Sequence, residues 1–178
     1  PYSMEAEQSV LGAALLESDA VLPELVETLK PEMFYAKQNG GIFAQMVRLF
    51  TAGEQVDLVT LLDAVVADGL FESPDAAKIY LARLGETVPS ISNVSAYARI
   101  VHEKYVARRV MEAAKTILRQ STEEPNADLL LESAEQKLYD IRAGQEQSAL
   151  TRLSAAIVET LVSLQKISGP DKDKYGGL

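Results

Sequence analysis

Few side chains in this sequence are of a type and spacing that could do chemistry. His102, the only histidine, stands beside Glu103 and could serve as a general base. A packed or helix-surface histidine is the simpler reading. Glu123-Glu124 could hold a cation, but a solvated turn is the simpler reading of the pair. Asp57 could be a catalytic acid; a helix cap accounts for it more cheaply. With one His, no Cys and scattered carboxylates, a zinc site is not expected. Nor is there a Gly-x4-Gly-Lys-Ser/Thr run to cradle phosphate, and Gly40-Gly41 and Gly176-Gly177 lack the spacing of a dinucleotide fingerprint. Arg108-Arg109, with Lys104 and Lys115, could line up as a basic strip for phosphate. Pairing with Glu103 and Glu112 is the alternative. Tyr97, Tyr105 and Tyr139 sit at helical spacing and are expected to pack rather than stack on bases.

The charge balance agrees. Seventeen basic against 26 acidic residues leave a net charge of -9, the wrong sign for a general nucleic-acid surface. No apolar run approaches the roughly 20 residues of a membrane span, and the N-terminus has no signal-peptide pattern. With no convincing strand along the chain, an all-α fold is expected.

The residues that must position any site lie in a series of helices. Pro89 to Gln120 reads as one long helix, led in by turn and cap residues Pro89, Ser90 and Ser92. At 1.5 Å per residue it spans roughly 40 Å, too long for one small core to cover. Val94, Tyr97, Ala98, Val101 and Tyr105 share one face. Val106, Val110, Ala113, Ala114 and Ile117 share nearly the opposite one, and the switch falls at Arg108-Arg109. The first half should pack on one body and the second on another.

Five shorter helices precede it and should form a compact bundle over residues 1–91, closed by the long helix to about residue 107. Ser3 should cap the first, with Glu5 and Glu7 in its first turn. The second follows Asp19, with Pro23 in its first turn. The third should firm up only after Gly40-Gly41, and Gly53 stops it. Asp57 caps the fourth and Gly69 ends it. Ser73-Pro74 starts the fifth. Val56 to Thr60 is the one strand candidate, weakened by Asp57.

Beyond the long helix, Pro125 marks a turn and Asn126 a cap. Ala127, Leu130, Leu131, Ala134, Leu138 and Ile141 form a stripe matching the long helix's second face. An antiparallel hairpin over 92–143 is expected, packed by Val110, Ala114, Ile117, Leu130, Ala134, Leu138 and Ile141. A polar linker (144–149) should then lead to a separate helix (150–168) with the stripe Leu150, Leu153, Ile157, Leu161 and Leu164. Periodicity leaves open whether that stripe folds back on its own bundle or docks on a neighbouring subunit. Residues 169–178 read as a solvated connector.

In YLARLGETVPSISNVSAYARIVHEKYVARRV the chain resembles the N-terminal domain of the bacterial replicative DNA helicase, the DnaB family. MEAEQSVLGAALL, MFYAKQNGGIFAQM and VDLVTLLDAVVADGL resemble its other segments, in the same order. Asn39 departs from the histidine common there. The resemblance implies a collar domain of a hexameric, ATP-driven helicase in DNA replication. The domains would pair through their hairpins, bind the C-terminal domain of primase, and send residues 150–167 onto the ATPase domain of the adjacent subunit. A helicase loader is a further candidate partner. The resemblance also implies that the chain is a fragment, with an ATPase domain beginning soon after Leu178. ATP and Mg are expected for that parent and no cofactor for this segment. A cytoplasmic, replication-fork location follows, with little direct DNA binding. Arg108, Arg109, Glu112 and Tyr139 are the candidate hairpin-partner or primase surface. The rival reading is an unrelated dimeric helical regulator that grips DNA through Arg108-Arg109; a weaker one is an all-helical enzyme using His102.

Overall fold

A computed structural model describes residues 1–168. Among them every regular element is a helix: α1 (Met4–Leu16), α2 (Ser18–Thr28), α3 (Lys37–Thr51), α4 (Leu58–Ala67), α5 (Pro74–Thr87), α6 (Val94–Glu123) and α7 (Ala127–Ser168). Single 3-10 turns, Pro31–Met33 and Ile91–Asn93, precede α3 and α6. The chain divides into two compact units, residues 1–138 and residues 139–178. The expected connector at 169–178 lies outside the described residues.

In the first unit α1 lies at the centre, against α2, α3, α5 and α6. Its sequence suits that place, because small residues on several sides let neighbours approach. A Cβ built on Gly12 would meet the Leu84 carbonyl oxygen of α5 at 2.1 Å. Phe43, Leu11, Leu22, Leu25, Ile42 and Met46 are among the largest fully buried side chains. α6 joins this core through Val94, Ala98 and Val101, with Tyr97 and Tyr105 packed beside them. Of the opposite face expected beyond Arg108, Val110 and Ala114 are exposed and Ile117 is half-buried. α6 continues unbroken past Arg108, and Ala113 is its next buried residue.

The caps follow the side chains. Ser3 Oγ accepts from the Ala6 amide, Ser73 Oγ from the Ala76 amide, and Asn126 Oδ1 from the Asp128 and Leu129 amides. Asp57 and Thr60 form a reciprocal capping box, so Val56–Thr60 opens a helix and is not a strand. Gly53 and Gly69 have φ of 73° and 67°, the left-handed stop that favours glycine.

Four expectations need correction. Pro23 lies inside α2, beyond its first turn. Pro23 and Asp19 are both exposed, so water can satisfy the Asp19 carbonyl that Pro23 cannot serve. α3 begins before Gly40-Gly41 and includes both. A Cβ on Gly40 would meet the Pro31 carbonyl oxygen at 2.7 Å, and one on Gly41 the Leu70 side chain at 2.4 Å. Close packing outweighs the helix propensity they forfeit. Ser90 and Ser92 bond each other and do not cap α6. Finally, α7 is helical straight through 144–149, so no separate linker and last helix appear. One glycine costs only about 1 kcal/mol, and the Gln, Glu and Ala around Gly144 are good helix formers.

Candidate interaction surface

The side chains with chemical potential do not converge. His102 is half-buried on α6. Asp57 is spent on its capping box, and the Thr60 amide's hydrogen bond holds its carboxyl below the ordinary 3.8. Glu124 accepts from the Asn126 amide at 2.9 Å and shapes the turn. Among the described residues no group of three potential ligands could hold a metal ion.

The basic strip is not assembled either. Arg108 turns inward and donates to the carbonyl oxygens of Pro1 (2.7 Å) and Met33 (2.8 Å). Its guanidinium lies 5.5 Å from the centre of the Tyr35 ring and 6.0 Å from that of Tyr105. Arg108 thus commits two of its five N–H donors to backbone carbonyls and is only partly exposed. Lys115 pairs with Glu112 at 3.3 Å, and both are exposed. Arg109 and, in the second unit, Tyr139 are exposed, as a partner surface requires.

Under the turn before α3 lies a buried polar network that sequence reading missed. Glu7 is only 2% exposed. Its carboxylate accepts from the Tyr35 amide (2.6 Å), the Ala36 amide (3.4 Å) and Asn39 Nδ2 (2.8 Å). Tyr80 in turn donates to Asn39 Oδ1 at 2.5 Å. Glu7 is thus an anchor for the start of α3, not merely a first-turn charge on α1. The one available signal was its position among Ala6, Val10 and Leu11 on a helix with little polar face.

What remains is an apolar surface. α6 and the first turns of α7 are joined through Glu124–Asn126 and lie side by side, with Ser133 Oγ donating to Gln120 Oε1 at 3.0 Å. Ile117, Leu130 and Ala134 are half-buried along this seam. Val110, Ala114 and Leu138, expected in it, are exposed. So are Met111, Leu118 (71%) and Leu131 (60%). The physical reason is width: a single partner helix covers only a narrow seam of a broad apolar stripe. At the turn, Gln120, Glu123, Glu124, Leu129, Leu130 and Ser133 line a cleft of about 310 Å³. In the second unit Ile141 is half-buried, whereas Leu150, Leu153, Ile157, Leu161 and Leu164 are all at least half exposed. No described helix is long and apolar enough to cross a membrane.

Comparison with known proteins interprets this arrangement. The family model for the DnaB-like helicase N terminal domain matches residues 1–103, from α1 into the first half of α6. The chain belongs to the DnaB family. It is 36% identical over 177 residues to the replicative DNA helicase DnaB of Geobacillus stearothermophilus, covering 99% of this chain and 38% of that protein. The chain thus spans well under half of that DnaB relative's length. Its fold matches the crystal structure of the N-terminal domain of DnaB helicase from Mycobacterium tuberculosis, with a TM-score of 0.72 and 32% identity over 78% of this chain and 98% of that one. A second match is the structure of a DnaB-like replicative helicase and its interactions with primase, at a TM-score of 0.60 and 25% identity over 78% of this chain and 31% of that one.

Proposed function

We propose that this DnaB-family domain is the self-association and primase-docking module of a ring-forming replicative helicase, and that ATP and Mg serve a motor region outside it. The observation that supports this reading most is the uncovered apolar flank of α6 and α7. Its side chains have about half their surface left to bury, worth roughly 1 kcal/mol each. Summed over two copies, that is of the same order as the cost of association. The expected result is a weak, concentration-dependent dimer of this chain, with the hexamer needing the rest of the parent. The primase assignment rests on the DnaB-like relative described with its primase interactions. The exposed stripe at Leu150, Leu153, Ile157, Leu161 and Leu164 would dock on the motor domain of an adjacent subunit, and a helicase loader could use the same surfaces. A cytoplasmic setting at the replication fork goes with this role.

Sedimentation velocity of the chain, alone and with the C-terminal domain of primase, tests the reading. Self-association that disappears in Leu118→Asp/Leu131→Asp, together with complex formation by the parent sequence, supports it. A strict monomer that ignores the primase domain refutes it. Tight, salt-sensitive binding to duplex DNA would revive the regulator reading.

A further inference from the structure

Between the 3-10 turn at Pro31–Met33 and α3 the chain runs through Phe34, Tyr35 and Ala36; the Phe34 amide closes the turn on the Pro31 carbonyl and the Ala36 carbonyl accepts from the Gly40 amide, which leaves the amides of Tyr35 and Ala36 and the carbonyl of Met33 to other partners. Backbone groups in such a stretch need partners. Two charged side chains from opposite directions supply them. From α1, the buried Glu7 carboxylate takes the amides of Tyr35 and Ala36. From α6, Arg108 takes the carbonyl of Met33. The same guanidinium takes the carbonyl of Pro1, and Tyr2 stacks on Tyr35 at 4.3 Å with ring planes 6° apart. The N-terminal strap, the Met33–Ala36 connector and α6 therefore meet at one residue.

Its place along α6 matters. Val101 and Tyr105 are the last α6 residues in the core cluster, and Arg108 follows one turn later. From there α6 runs on to Glu123, about 22 Å away at helical rise. A rotation of about 10° at Arg108 would carry the far end through roughly 4 Å. Whatever fixes α6 at this point aims the surface formed by α6 and the start of α7.

We propose that Arg108 is a positioning residue: its grip on Pro1 and Met33 sets the angle at which the second half of α6, with the first turns of α7 to Leu138, leaves the helical bundle. Only an arginine suits the task, because a planar fork can serve two carbonyls at once while a lysine ammonium on a flexible stem holds them loosely. Methionine keeps much of the stem's packing and removes every donor. The consequence for partner docking rests on the function proposed above; the angle itself does not.

The chain has no cysteine, so two can be introduced without background. Glu54 and Arg119 are exposed, one just after α3 and one near the end of α6. Spin labels on Glu54→Cys and Arg119→Cys report the distance between bundle and hairpin. Arg108→Met should broaden or shift that distribution, with Arg108→Lys intermediate, while circular dichroism keeps the helix content. Amide exchange at Phe34, Tyr35 and Ala36 should quicken at least about tenfold in Arg108→Met, while that of Val10 and Leu11 stays unchanged. That contrast separates a local release from general destabilisation. If Arg108→Met does not fold, Arg108→Lys decides alone. An unchanged distance distribution in the folded variants overturns the proposal, whether or not the chain binds primase.

Discussion

Glu7→Ala removes the acceptor for three donors, Tyr35 N, Ala36 N and Asn39 Nδ2. The Ala36 contact, at 3.4 Å, is weak and contributes little. The other two are short bonds to an ionised group, worth roughly 1.5–3 kcal/mol each. Asn39 is fully buried, so its amide has no recourse to solvent. Tyr35 is about half exposed (51%), so water can reach toward its amide and recover part of the loss. The net expectation is about 3 kcal/mol of lost stability, or roughly 6–12 °C in Tm for a chain of this size. Glu7→Gln should lose much less. Its amide can donate to Asn39 if the Asn39 amide turns over and donates to Tyr80, leaving about 1 kcal/mol for the lost charge. Urea denaturation followed at 222 nm, with all three chains at one pH, measures both differences. A Glu7→Ala loss under about 1 kcal/mol would falsify the claim that this network anchors the start of α3. Equal losses for Ala and Gln would show that charge, not donor satisfaction, matters there.

Three other outcomes follow. Gly12→Ala gains helix propensity, but its Cβ would stand 2.1 Å from the Leu84 carbonyl oxygen, so α1 and α5 must separate; a net loss of about 1–3 kcal/mol is expected by thermal melting, and an unchanged or raised Tm would contradict the close packing. Asp57 has a depressed carboxyl pKa in the folded chain, so its cap stabilises above the ordinary 3.8 and is lost as pH falls through the folded value; the stability gap between the parent chain and Asp57→Asn should be open at pH 7 and close in acid, and a gap constant with pH would refute the charge's role. Ile157→Asp and Leu161→Asp should leave the Tm of this chain within about 1 °C, since exposed substitutions seldom matter to stability, and, on the function proposed above, should weaken docking to a motor domain; a large drop in Tm would place the stripe inside a core.

Helix identity and most helix boundaries were legible in the residues themselves. Caps such as Ser3, Asp57, Ser73 and Asn126 act on amides two or three positions away, and Gly53 and Gly69 act on their own backbone angles. Such short-range effects survive in any context. The unbroken run of α6 past Arg108 was equally legible, because helical periodicity needs only the local repeat. The ordered segments that mark the DnaB family belong to the same level.

Tertiary structure alone decided what lies opposite each face. Gly40 and Gly41 look like a helix break until the Pro31 carbonyl and the Leu70 side chain are seen against them. Glu7 and Glu5 are the same residue type in the same helical turn, yet one is an internal acceptor and the other is exposed. Arg108 and Arg109 are chain neighbours, about 100° apart around α6; one binds two carbonyls and the other faces water. Val110 and Leu138 belong to apolar stripes wider than one neighbouring helix can cover, so the residues left over form the surface. Local sequence dictates which groups a helix presents and in what direction; the partner each group meets comes from chain tens of residues away, and spacing along the chain carries no record of it.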